Sequence, residues 1–193
     1  MSTRFDPTPA GRRVWDAANS LFYERGIRAV GVAEIAATSG VAKPSLYRNF
    51  ESKDGLVVAY LNEHSASDLH IVTEARAAHP DDPREQLRSI VSAVADKINA
   101  PDYRGCPLAN AAIEFPDRDH PIRRRVDEHK SSFLRSLTDI AAHINADAAQ
   151  DLAFALSMLL EGASCSAQIF SGAQSARALI TTADAIIDTY STP

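Results

Sequence analysis

Disulfides, membrane spans and cofactor loops are what this sequence has least of. Its 193 residues include two cysteines, Cys106 and Cys165, too few for a disulfide framework. No apolar run approaches the roughly 20 residues needed to cross a bilayer. The start, Met1-Ser2-Thr3-Arg4-Phe5-Asp6, lacks the apolar stretch of a secretory signal. The expectation is a cytoplasmic protein without a membrane partner. The eight glycines form no phosphate-cradling loop. No serine or cysteine stands in a nucleophile-elbow motif. His64, His70, His129 and His143 make no tight ligand spacing with Cys, Asp or Glu. Neither enzymatic catalysis nor a metal or cofactor is expected, and a redox pairing of the two cysteines, 59 positions apart, is not favoured.

What is present is an ordinary folding composition, 45% hydrophobic and 23% charged. The length suffices for a core without staples. A net charge of −5 speaks mildly against a nucleic-acid partner, but the average hides an asymmetry. Residues 1–55 hold eight basic and six acidic side chains, a net of +2, which leaves −7 for the rest. A basic head on an acidic body suggests that only the head meets an anion.

Apolar spacing is helical throughout, with no strand pattern. Val14, Ala17, Ala18, Leu21 and Phe22 share one helix face, begun by Thr8-Pro9 and stopped by Gly26. Two short helices follow, about Val32–Ser39 and Lys43–Phe50, separated by a turn containing Gly40. That is the outline of a helix-turn-helix. Ser52-Lys53-Asp54 opens a long helix broken by His79-Pro80-Asp81-Asp82-Pro83. Further helices are predicted around Leu87–Ile98, Leu108–Phe115 and Ile122–Ile144. The last two span about Asp147–Phe170, apolar on more than one face, and Gln174–Tyr190.

The spelling then becomes specific. Glu34-Ile35-Ala36, Ser39-Gly40-Val41, Lys43-Pro44-Ser45-Leu46-Tyr47-Arg48-Asn49-Phe50 and Ser52-Lys53-Asp54-Gly55-Leu56 resemble the DNA-binding domain of the TetR family of bacterial transcriptional regulators. Ala17-Ala18 and Leu21-Phe22 before Gly26 extend the match over roughly residues 10–60. The resemblance implies an all-α fold of about nine helices. It implies a helix-turn-helix domain over 1–52 and a helical ligand-binding and dimerisation domain over 53–193. It further implies a homodimer on double-stranded operator DNA, contacting it mainly through the third helix. A small-molecule effector would release the DNA, as a repressor requires. The family uses the positions of Tyr47 and Lys53 on backbone phosphates, contacts that position rather than specify. Lys43, Pro44, Ser45 and Arg48 fall on the outward side of that helix, while Leu46 and Phe50 hold it to the head. The chain departs from the family at two helix starts. Val30-Gly31 and Ala42 stand where a hydroxyl residue is common, which puts two phosphate contacts in doubt.

Other features have competing readings. Arg4, Arg12 and Arg13 either reach DNA or form a solvated face. Arg123-Arg124-Arg125, flanked by Asp117, Asp119, Asp127 and Glu128, reads as a salt-bridged surface. Asn110 and Glu114 either orient a ligand or hydrogen-bond a neighbouring helix end. Glu161 is either a pocket carboxylate or part of an interface ion pair. The inward candidates for an effector site are Leu61, His64, Leu108, Asn110, Phe115, Phe133, Leu137, Met158 and Glu161. So apolar a lining fits a largely hydrophobic ligand. The last two helices are expected to pair with their two-fold mates. The competing functions are a small helical enzyme and an interaction module without DNA binding.

Overall fold

Thr8 caps the first helix as its sequence predicts: its hydroxyl accepts the Gly11 N–H at 3.1 Å. This helix is α1 (Pro9–Arg25), and Gly26 ends it with a φ of +88°. The structure is a computed structural model that describes residues 8–190; Arg4 lies outside the described residues. Among these, every regular element is a helix. After α1 come α2 (Val32–Ser39), α3 (Lys43–Phe50), α4 (Lys53–Ala78), α5 (Pro83–Ile98) and α6 (Pro107–Glu114). Then follow α7 (Pro121–Ala141), α8 (Ala149–Ile169) and α9 (Gly172–Tyr190). They form two compact units, one of residues 8–63 with 110–126 and one of 64–109 with 127–190.

In the first unit, the head, α1, α2 and α3 pack on one another. Val14, Ala18, Phe22, Ile35, Leu46 and Phe50 are buried, as are Leu56, Val57 and Tyr60 at the start of α4. Phe22 meets the Tyr60 ring edge-on at 5.6 Å. Gly40 closes α2 in the left-handed conformation, donating to the carbonyls of Ala36 and Ala37. An ion pair between Arg25 and Glu34 ties the end of α1 to α2. The starts of α2 and α3, at Gly31 and Ala42, carry no side-chain cap, as the missing hydroxyls predict. After α3, Glu51 takes a φ of +54° and Ser52 N–H donates to the Phe50 carbonyl, a tight γ-turn. The Ser52 hydroxyl then accepts from Gly55 N–H at 3.0 Å, opening α4.

In the second unit, the body, Asp82 caps α5 through the N–H groups of Arg84 and Glu85, each at 3.1 Å. Helices α5, α8 and α9 pack together. Leu87, Ile90, Ile98, Leu152, Leu156, Leu179, Ala183 and Ile187 form the core with Leu137 and Ile140 of α7. Each large side chain buried there is worth about 1.5–3 kcal/mol. Arg88 of α5 binds Asp184 at 3.2 Å and Asp188 at 2.7 Å, both on α9. α7 stops at Ala141 rather than continuing to Ile144. The next residues tighten into i→i+3 bonds, His143 N–H to Ile140 and Ile144 N–H to Ala141.

One expectation needs correction. α8 is long and apolar enough, by length and composition, to cross a membrane, with a mean hydropathy of 1.4. Asp151 and Glu161 interrupt its apolar run. One face of this helix, Leu152, Leu156 and Leu160, is buried in the body core.

Candidate functional site

Helix α3 is set by its two inward residues. Leu46 is fully buried and Phe50 nearly so, while Lys43, Pro44, Tyr47 and Arg48 are exposed. Tyr47 follows Leu46 directly, and a helix cannot turn both inward; Tyr47 is 45% exposed. Ser45 is half-buried. Its hydroxyl accepts from the Arg48 guanidinium at 2.5 Å, and its carbonyl accepts from the Asn49 amide at 2.7 Å. Asn49 also takes a hydrogen bond from the Thr8 hydroxyl at 3.0 Å, which ties the start of α1 to α3. The exposed face therefore presents two cations, a phenol and no acid. Arg12 and Arg13 are exposed on α1.

Lys53 is placed differently. Its ammonium donates to the Ile27 carbonyl at 2.6 Å. Burial lowers its pKa below the ordinary lysine value, Asp54 and Glu114 pull the other way, and Arg28 adds to the lowering. The opposite side of the same peptide is also held. The Glu114 carboxylate accepts from Ile27 N–H at 2.9 Å and from Arg28 N–H at 2.6 Å. Of the two readings of Glu114, the geometry is that of a bond to the end of a neighbouring helix.

The effector candidates divide between the units. In the head, Leu61 is fully buried. Phe115 lies under the Arg28 guanidinium, 5.8 Å from its ring centre, and 4.8 Å from the His120 ring. Asn110 is half-buried there. In the body, Leu108 and Leu137 are buried, Phe133 packs against the core, and His64 is half-buried. Beside it, Ser65 and His129 share a hydrogen bond of 2.7 Å.

Glu161 finds a partner the sequence did not reveal: it pairs with Lys130 of α7. The Lys130 ammonium also lies 3.3 Å from the Cys106 sulfur. Burial works against the charge of Lys130, but Cys106 and Glu161 outweigh it and hold the lysine above its ordinary value. Burial pushes the Cys106 thiol up, and the neighbouring ammonium does not reverse this. Met158 is a correction: expected inward, it is 62% exposed. Several faces of α8 are apolar, and Met158 falls on the one turned away from the core. With Gly162 and Ser166 it lines a groove of about 420 Å³ shared with Phe170, Ala178 and Thr182.

Each arginine of the run reaches an uncharged group. Arg123 reaches the Ala112 carbonyl at 3.4 Å, Arg124 that of Asp119 at 2.7 Å, and Arg125 the Asn62 side chain at 2.9 Å. Among the described residues, no group of three or more His, Cys, Asp or Glu side chains could hold a metal ion.

Comparison with known proteins places this geometry. Residues 14–60 match the profile described as bacterial regulatory proteins, tetR family. Residues 83–183 match that of the tetracyclin repressor-like C-terminal domain. The HTH-type transcriptional activator FasR of Mycolicibacterium smegmatis is 40% identical over 82 residues, 42% of this chain and 37% of that protein. The uncharacterised HTH-type regulator YvkB of Bacillus subtilis is 41% identical over 59 residues, 31% of each chain. The matched stretch thus spans about a third of each of these curated relatives. The likeness to the crystal structure of SCO4454, a TetR-family transcriptional regulator from Streptomyces coelicolor, is wider. It has a TM-score of 0.91 and 31% identity, covering 95% of this chain and 96% of that one. With its helix-turn-helix head and its helical body each matched, the chain belongs to the TetR family of bacterial regulatory proteins.

Proposed function

We propose that this protein is a cytoplasmic DNA-binding transcriptional repressor, not an enzyme. It binds operator DNA as a homodimer and is released by a small, largely hydrophobic molecule. The DNA-binding role falls to residues 1–52, and effector binding and dimerisation to 53–193. The observation that carries the reading is α3. With Leu46 and Phe50 turned inward, Lys43, Pro44, Tyr47 and Arg48 stand exposed on a helix without an acidic residue. A helix entering the major groove needs such small, polar and cationic side chains near its N-terminal end. Lys53 contributes a phosphate contact through the N–H donors that the Ile27 carbonyl does not take.

The dimer forms through α8 and α9. Phe154, Met158, Ile169, Phe170 and Ile180 are large apolar side chains exposed on these helices or beside them, a patch of the kind that marks an interface. The effector is held in the helical body by candidates among His64, Leu108, Phe133, Leu137 and Glu161, while Leu61, Asn110 and Phe115 belong to the head. It lowers DNA affinity by binding better to the conformation in which the two α3 helices no longer fit successive major grooves.

The test is a gel shift with duplex DNA from upstream of the protein's own gene, against a scrambled duplex of equal length. Selective retardation that is lost in a Lys43→Ala, Arg48→Ala variant supports the reading. Equal binding of both duplexes by wild type and variant refutes it.

A further inference from the structure

The turn between α1 and α2 is gripped from both sides. Gly26 ends α1 with its N–H on the Phe22 carbonyl at 3.0 Å, and the next two N–H groups, of Ile27 and Arg28, point at one carboxylate. That carboxylate belongs to Glu114, the last residue of α6, 86 and 87 positions away in sequence. The contact is reciprocal, because the Arg28 guanidinium reaches back to the Glu114 carbonyl at 3.1 Å and lies over the next side chain, Phe115. On the far side of the Ile27 peptide, Lys53 holds the carbonyl at 2.6 Å.

Gly26 makes room for this arrangement. A Cβ built there meets the nearer Glu114 oxygen at 3.1 Å, and the φ of +88° already disfavours a side chain. Five residues after Ile27 the chain enters α2, the first helix of the helix-turn-helix. Two consecutive N–H groups on one carboxylate are charge-assisted bonds, stronger than neutral ones, and they fix orientation as well as distance. Neither donor can be supplied with another acceptor by its own helix, since α1 has ended and α2 has not begun.

We propose that Glu114 is the positioning residue of the DNA-binding head. Its carboxylate fixes the α1–α2 turn, and through that turn the attitude in which α2 and α3 are presented to DNA. This rests on the reading of the head as a DNA-binding domain. Glu114 itself touches no phosphate or base. Its loss weakens binding to every duplex by a similar factor and leaves the salt dependence unchanged, because no counterion is released at this site.

The experiment compares Glu114→Ala and Glu114→Gln with wild type by two independent measurements. The first is amide hydrogen exchange at Ile27 and Arg28. Exchange is expected to rise about tenfold or more in the alanine variant and less in the glutamine variant, which keeps one acceptor, while body amides stay protected. The second is affinity for the retarded upstream duplex over a range of salt. The expected result is a loss of about tenfold or more in Glu114→Ala, partly rescued in Glu114→Gln, with parallel salt slopes. Unchanged exchange at both amides overturns the clamp. Faster exchange with unchanged DNA affinity overturns the positioning role, and a shallower salt slope overturns it in favour of direct contact. If the wild type binds no DNA selectively, the regulator reading fails, and the exchange arm still decides whether Glu114 holds the turn. Should Glu114→Ala unfold, Glu114→Asp tests the same grip by withdrawing the carboxylate one methylene; normal exchange and affinity in that variant overturn the proposal.

Discussion

The ammonium of Lys53 sits 2.6 Å from the carbonyl of Ile27, a bond that spans 26 positions and turns the lysine toward its own domain. That bond takes one of the ammonium's three N–H donors. In the proposed DNA complex a phosphate is met by the other two, from an ammonium that Ile27 already holds in place.

The same burial gives Lys53 a signature in pH. Its folded-state pKa lies below the ordinary lysine value of 10.5, so between the two values the unfolded chain binds more protons than the native one. Stability then rises with pH across that window, and the cost of the buried charge is fully present below it. Urea unfolding followed by the fluorescence of Trp15, the one tryptophan, is expected to show wild type gaining on Lys53→Met as pH approaches 10.5. A constant difference between the two proteins contradicts the assignment.

On α3, Lys43 and Arg48 differ in how they are held. Lys43→Ala is expected to flatten the salt dependence of DNA binding by roughly one unit of slope. Ser45→Ala frees the Arg48 guanidinium from the hydroxyl that holds it at 2.5 Å. Its expected effect is on which base is preferred rather than on the slope. Tyr47→Phe is expected to weaken all duplexes alike. Titrations at several salt concentrations with single-base operator variants separate the three.

Cys106 is expected to resist alkylation at neutral pH, because burial keeps it a thiol and the thiolate is the nucleophile. The neighbours act in opposite directions. Lys130→Met raises the Cys106 pKa further and slows labelling, and Glu161→Gln lowers it and speeds labelling. Iodoacetamide labelling on a Cys165→Ser background, read by mass spectrometry between neutral pH and about pH 9, checks both signs.

The apolar outer face of α8 predicts the assembly. Replacing Phe154 and Met158, 57% and 62% exposed, by glutamate puts charge where the mate is expected to pack. Sedimentation is expected to move from twice 20.9 kDa to 20.9 kDa, and DNA affinity to fall with it. A stable monomer in the wild type at micromolar concentration refutes the interface.

Helix boundaries were legible wherever the chain carries its own punctuation. Thr8-Pro9 and Gly26 bracket α1, and Gly40 and Ser52 mark α2's end and α4's start. Leu46 and Phe50 gave the inward side of α3 because their spacing admits one buried face. The partners of Lys53, Glu114 and Glu161 were not legible. Each reaches across 26 to 87 positions to a group chosen by tertiary packing, and two of those groups are backbone atoms with no side-chain identity to read. The outward turn of Met158 was hidden for a related reason. α8 is apolar on several faces, and only its neighbours decide which of them lies within the chain.

The Arg88 staple fixes when the body can close. Its guanidinium waits for Asp184 and Asp188, 96 and 100 positions downstream. On the ribosome, Arg88 has Glu85 beside it from the start, but α5 emerges with its buried-to-be face long before α9 exists. The head waits less: α1, α2 and α3 end by residue 50, and the carboxylate that grips their first turn follows at Glu114. Synthesis thus completes the head before the body, and the nascent body is the part of this protein that a chaperone has reason to hold.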